Sequence, residues 1–266
     1  MENNIHPTAI VSDDVTLGKG NVIGPYCVLE GKISIGDNNT FKPHSYLTGI
    51  VEIGDDNEFF SFCSIGENPQ DLTFKDENTL VKIGHKNIFR EYVSVHRGTI
   101  KQDKETIIGS NNYLMAKVHV GHDTIIGDHC ILVNSCNLAG HVTIGNRVII
   151  SGNSGVAQFL FVGDGAFVGA ATSVTKDIPP YCTALGNRAM LKGINIIGLR
   201  RQGAAKEHIS ELVNFIRLME ASHLSPRSFV EDSKNVEEYM DNKIVMDVVE
   251  SIKKSKAGIV PFFHDR

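Results

Sequence analysis

Three histidines and a carboxylate fall within a short span of the chain. His119 and His122 stand three residues apart in "KVHVGHDTIIG" (117–127), Asp123 follows directly, and His141 closes the group in "LAGHVTIG". A histidine beside a carboxylate fits a general base with an orienting partner, because imidazole ordinarily titrates near neutral pH. Histidines at such spacing also fit a metal site, and polar residues on a repeated strand can simply be solvated. In an extended chain the side chains of His122 and Asp123 would point to opposite faces. Orientation of one by the other therefore requires local turn geometry or subunit packing to bring Asp123 around.

The elements that carry these residues are repeats. Stepping by six from Ile5 reaches Val11, Leu17, Ile23, Leu29, Ile35, Phe41, Leu47, Ile53, Phe59 and Ile65 without a miss. The frame returns at Ile83, Phe89 and Val95, shifts by one, and runs again from Ile108 to Val174. A period of six matches neither the 3.6 of an α-helix nor simple alternation, but it suits short strands joined by tight turns in a triangular coil. Three hexads make one turn, so nine or ten coils between Ile5 and Pro179 predict a prism about 45 Å long at the usual strand spacing. The fifth residue of each hexad is mostly small and should also point inward; Cys27, Cys63, Cys130 and Cys136 belong to this class as core fillers. Two polar stretches lose the frame, "GENPQDLTFKDENTLVK" and "HRGTIKQDKETI", and read as external loops of the kind on which sites are built. The predicted β-helix spans 1–186. From 187 to 266 the spacing turns helical, with Ile209, Leu212, Ile216 and Met219 on one face and Ile244, Val248 and Ile252 on another, a cap that would cover the open end of the solenoid.

With coils starting at Ile108, Ile126 and Ile144, His122, Gly140 and Gln158 are each the fifteenth residue of successive coils. His141 follows Gly140, and His119 lies in the preceding hexad, so one polar column is expected along one side of the prism. Its glycine N–H could approach a ligand.

Composition narrows the functional classes. The 26 Lys and Arg against 31 Asp and Glu give a net charge of −5 with no basic arm, which argues against nucleic acid. No apolar run approaches a membrane span, the amino terminus has no targeting pattern, and five cysteines without a CxxC pair indicate neither disulfides nor a cysteine zinc site. A cytoplasmic protein is expected.

A hexapeptide solenoid with a helical cap resembles the hexapeptide-repeat acyltransferases. The order and spacing of "IHPTAI", "SIGENPQDL", "VHRGT", "HVGHD", "LAGHVTIG", "AQF", "DIPPY", "GN" and "GINIIGLRRQG" further resemble the acyl-carrier-protein–UDP-N-acetylglucosamine O-acyltransferases that open lipid A biosynthesis, over essentially the whole chain. The resemblance implies a mainly β, left-handed parallel β-helix with a C-terminal helical domain, assembled as a homotrimer with sites between subunits. It implies transfer of a 3-hydroxyacyl chain from acyl carrier protein to the 3-position of UDP-N-acetylglucosamine. No metal or resident cofactor is implied, the donor carrying its own 4′-phosphopantetheine. His122 would be the general base, Asp123 its orienting partner and the Gly140 N–H the oxyanion donor. Gln70, Asp71, His96, His119, His141, Gln158, Asn195 and Arg201 match substrate-binding positions, and Ala170 a position that sets acyl length. Lys192, Arg200 and Lys206 are basic cap residues available to an acidic carrier protein.

Four residues depart from the family pattern: Ala157 stands for a histidine, Thr73 for the lysine after "QDL", Ile197 for a glutamate and Gln202 for an arginine. The last three fall near the expected nucleotide-sugar end, which points to a variant that acylates a 3-amino sugar and forms an amide. Rival readings are a γ-type carbonic anhydrase-like zinc enzyme using His119, His122 and His141, the related N-acyltransferase, which carries an extra uridine-binding domain before the solenoid whereas this repeat starts at Ile5, and a structural scaffold.

Overall fold

A computed structural model of the chain describes residues 2–263, so Met1 of the 1–186 span and the last three positions of the 187–266 span lie outside the described residues. Strands of two residues recur at the predicted interval and stack in register eighteen residues apart: Leu114 pairs with Leu132, Leu132 with Ile150 and Ile150 with Val168. The result is a left-handed parallel β-helix. One sheet holds ten parallel strands and a final antiparallel one, and a second, fifteen-stranded sheet covers the other two faces. Those two faces are joined because the strands Val28–Ile35 and Tyr46–Ile53 bend around a corner without breaking their ladder. The bends sit at Gly31 (φ +113°) and Gly49 (φ +79°), a backbone region open to glycine and poorly populated by other residues.

The bulky positions of the hexad fill the prism. Phe41, Phe59 and Phe89 are fully buried and stack at 4.8 and 4.7 Å between centroids, where offset rings gain more than area alone supplies. Ile5 departs from the pattern at 43% exposure, because no coil lies beneath the first one. The four cysteines expected inside are buried, as is Cys182, and burial pushes the thiols of Cys63, Cys130, Cys136 and Cys182 up to about 12. Such thiols are poor nucleophiles.

At the other end, Cys182–Leu185 and Met190–Ile194 form an antiparallel hairpin, so the sheet continues to Ile194 before the chain turns helical. Helices α1 (Ile196–Arg201), α2 (Lys206–Ala221), α3 (Pro226–Glu231) and α4 (Lys243–Lys254) follow. Helices α2 and α4 bury Ile209, Leu212, Phe215, Ile216 and Met219 against Val245, Val248, Val249 and Ile252, and Tyr181 ties the cap to the prism through a 2.7 Å hydrogen bond to Asp247. No helix among the described residues is long and apolar enough to cross a membrane.

The two frameless stretches leave the prism as excursions around 68–79 and 97–104. They rejoin it as neighbouring strands, Leu80–Ile83 beside Glu105–Ile108, and ion pairs link them at Lys101–Asp71 and Arg97–Asp76.

Candidate active site

A groove of about 600 Å³ runs along one wall of the prism, and Gln70, His96, His119, His122, Gly140 and Gln158 all line it. Four members of the polar column predicted from the register, His119, His122, Gly140 and Gln158, line it from three successive coils, joined by His96 from the preceding coil and Gln70 from the first excursion, whereas His141 stands against His122 without lining the groove.

The orientation of Asp123 is settled by its backbone. Asp123 has φ +59°, a left-handed corner conformation that breaks strand alternation and turns its side chain to the same side as that of His122. Its Oδ2 lies 2.8 Å from Nδ1 of His122. An ionised carboxylate only accepts, so Nδ1 carries the hydrogen and Nε2 is left as the basic nitrogen. Both groups are buried, at 7% exposure for His122 and 1% for Asp123. Burial alone would raise the Asp123 carboxyl, but hydrogen bonds from His122, the Thr99 amide and the Thr99 hydroxyl bring it below its ordinary value.

Gly140 lies directly against His122. A methyl group built on it would come 2.5 Å from Cε1 and 2.7 Å from Nε2 of the imidazole. Its carbonyl accepts from the Phe159 amide, whereas its own N–H has no acceptor among the described residues. A hydrogen-bond donor thus stands free beside a histidine nitrogen, the arrangement an oxyanion requires.

Burial disfavours the charged form of the neighbouring histidines. Burial and the neighbouring His119 push His96 down to about 4, from an ordinary 6.5, and its Nδ1 is buried without a partner. His119 is lowered by burial and by His122, and its Nδ1 is 2.8 Å from Ser94 Oγ. His141 is lowered by burial, against the pull of Asp123, and it stands edge-on to His122 at 5.0 Å between ring centroids. Asp71 sits in the first excursion next to Gln70. Lys101 at 2.5 Å, followed by the amide and hydroxyl of Thr73, holds its carboxyl far below the usual range. Thr73 thus caps Asp71, and the cation arrives from the other excursion.

The rival zinc set does not assemble as expected. Among the described residues, the ligand atoms lying within 4.8 Å of one another belong to His122, Asp123 and His141, not to three histidines, and both Asp123 oxygens are already engaged by protein donors.

Asp71, Asp123 and His141 adjoin lining residues without lining the groove themselves, and Asn195, Arg201 and Ala170 do not line it in the single chain. Asn195 caps α1, its Oδ1 accepting from the Gly198 amide and its Nδ2 donating to the Gly165 carbonyl. Arg201 is exposed in the last turn of α1, and Ala170 is exposed beside Ala171, which does line the groove. Of the family departures, Ala157 lines the groove and Ile197 is 64% exposed.

Sequence reasoning missed Thr99, Thr106, Lys101, Gln102 and Ser94. The Thr99 N–H and hydroxyl donate to the two Asp123 oxygens at 2.9 and 2.8 Å, Thr106 Oγ1 accepts from the Asp123 amide at 2.8 Å, and Gln102 Oε1 lies 2.8 Å from His141 Nδ1. The available signal was the break in the hexad frame itself, since four of the five lie in or at the edge of that stretch.

Known proteins share this architecture throughout. The family model described as UDP-N-acetylglucosamine O-acyltransferase, domain 2, matches residues 177–260, and that of the bacterial transferase hexapeptide matches 14–49 and 105–140. An acyl-carrier-protein–UDP-N-acetylglucosamine O-acyltransferase of Sulfurihydrogenibium is 55% identical, covering 97% of this chain and 94% of the relative; that of Myxococcus xanthus is 44% identical over 96% and 98%. Among solved structures, the UDP-N-acetylglucosamine acyltransferase of Francisella novicida superposes with a TM-score of 0.92 at 36% identity, covering 97% of this chain and 94% of the other. The chain belongs to the acyl-carrier-protein–UDP-N-acetylglucosamine O-acyltransferase family of enzymes.

Proposed function

We propose that the chain transfers a 3-hydroxyacyl group from acyl carrier protein to the 3-hydroxyl of UDP-N-acetylglucosamine, with His122 as general base. The observation that carries the reading is the Asp123-held imidazole of His122 against the free N–H of Gly140 in the groove. Nε2 takes the proton of the sugar hydroxyl as its oxygen attacks the thioester carbon, and the carbonyl electrons move to an oxyanion that accepts from Gly140. Collapse breaks the C–S bond, and the proton held by His122 goes to the departing phosphopantetheine sulfur. The products are an ester and the free carrier-protein thiol, with no covalent enzyme intermediate and no resident cofactor.

Gln70, Asp71, His96, His119, His141 and Gln158 would bind substrate along the groove. Asn195 and Arg201 sit on the cap, so they serve this reaction where the groove of one copy faces the cap of another, as in the homotrimer the family resemblance implies. Exposed Arg200 and Lys206, together with Lys192, offer positive charge to an acidic carrier protein in the cytoplasm. The second reading, acylation of a 3-amino sugar, is favoured by the absence of charge at Thr73, Ile197 and Gln202, and it keeps the role of His122 because an amine nucleophile also loses a proton.

Mass spectrometry of the product formed from an acyl-carrier-protein thioester and either UDP-N-acetylglucosamine or its 3-amino analogue tests both. An ester product absent with His122→Ala is expected; full turnover by His122→Ala would end the mechanism, and turnover of the amine alone would select the second reading.

A further inference from the structure

Asp123 is held by more than its contact with His122. Thr99, 2% exposed, reaches it from the second excursion with two donors, one to each carboxylate oxygen. The direction of the hydroxyl is fixed, because Oγ1 accepts from the Lys101 amide at 3.3 Å and so presents its hydrogen to Asp123 Oδ2. That same Oδ2 receives Nδ1 of His122. Two donors therefore share one oxygen, and the charge that Oδ2 offers the imidazole is set in part by Thr99. Thr106 holds the backbone of Asp123 from the other side, and the remaining titratable group facing the carboxylate is His141, with Nε2 at 3.8 Å.

We infer that Thr99 is a positioning residue for acyl transfer: it aims the Asp123 carboxylate at His122 and limits how strongly that carboxylate favours the protonated imidazole. The inference rests on the reading of His122 as the base. A threonine that merely completed the hydrogen bonds of a buried aspartate would affect stability alone. A threonine that tunes the pair also changes the pH at which the base becomes available, since a carboxylate relieved of a donor holds imidazolium more tightly.

The test compares Thr99→Val, which keeps shape and removes the hydroxyl, with Thr99→Ser, which keeps the donor, in full-length enzyme assayed with acyl-carrier-protein thioester and UDP-N-acetylglucosamine. Thr99→Val should lower kcat by on the order of tenfold, as loss of a hydrogen bond to a charged group does, with KM for the sugar nucleotide within about threefold. Its acid limb of kcat/KM should move to higher pH by about half a unit, while Thr99→Ser restores both values. In an Asp123→Asn background Thr99→Val should add little, because the oxygen it acts through has lost its charge. If Thr99→Val fails to fold, Thr99→Cys, a weak donor, carries the same comparison with a smaller displacement in the same direction. An acid limb and kcat unchanged in the folded hydroxyl-free variant, alongside an inactive His122→Ala, would overturn the role of Thr99 and leave the base in place. Full activity of His122→Ala would overturn both.

Discussion

The α-carbon of Gly140 faces the imidazole of His122 so closely that a methyl group there would intrude on Cε1 and Nε2 together. The proposed oxyanion donor and base are thus in contact, and the glycine is what permits it. Gly140→Ala keeps the N–H but must displace the ring from Asp123. The expected result is a loss of at least about 100-fold in kcat, comparable to removing an oxyanion donor outright, with the folded state retained in thermal unfolding. Activity within a few-fold of the parent would show that the ring can stand elsewhere and still work.

The buried histidines should make the fold acid-sensitive. His96 is pushed down to about 4 in the folded chain against 6.5 ordinarily. Between those values the unfolded chain binds a proton that the folded chain refuses, so stability rises with pH and falls as acid is added. Burial lowers His119 and His141 in the same sense. For His96 the gap of about 2.5 pH units corresponds to about 3 kcal/mol lost on going from neutral pH to pH 4. Denaturant unfolding between pH 7 and pH 4.5 should show this fall, and His96→Gln should flatten it. Equal slopes in the two proteins would assign the acid sensitivity to other groups.

Lys101 supplies the cation beside Asp71, and the amide and hydroxyl of Thr73 cap the same carboxylate. The lysine side chain is about half exposed, so the pair should matter little for stability. On the proposed reading its effect falls on binding, through the orientation of Asp71 next to Gln70. Lys101→Met is expected to leave the melting temperature in place and to raise KM for the nucleotide sugar by up to about fivefold, the equivalent of about 1 kcal/mol. A change in kcat alone would contradict the assignment.

How far the sequence reaches follows from what periodicity encodes. Hexad spacing specifies which residues share a wall, so His122, Gly140 and Gln158 could be aligned by counting, as the 18-residue register bears out. Counting by strand alternation put Asp123 opposite His122 unless a turn brought it around; the left-handed φ at that corner does so, and it recurs at the same hexad position in Lys117, His129 and Ser135, so it belongs to the corner geometry that strand alternation leaves out. Thr99, Lys101 and Gln102 lie where the frame is lost, and an excursion's path back to the wall depends on tertiary contacts such as Thr99 with Asp123 that no period records. Asn195 and Arg201 could be named only by motif, because the cap stands apart from the groove of its own chain.

The last expectation concerns the end of the groove. Ala171, Thr172, Ser173 and Thr175 line it there, and Ala170 stands exposed at the adjoining corner. Each methylene of an acyl chain that finds apolar cover contributes about 0.8 kcal/mol, roughly a fourfold gain in kcat/KM per carbon until the chain meets an obstacle. Beyond that point added carbons must displace side chains, and the gain becomes a loss. If the methyl of Ala170 is that obstacle, Ala170→Gly moves the optimum of a carrier-protein donor series to longer chains and Ala170→Met moves it to shorter ones, with little change in the rate for the shortest donor. The paired substitutions matter because a general loosening of the corner would broaden the profile in both variants, whereas a steric stop shifts it in opposite directions. A donor profile that stays fixed in both would remove Ala170 from the determination of chain length.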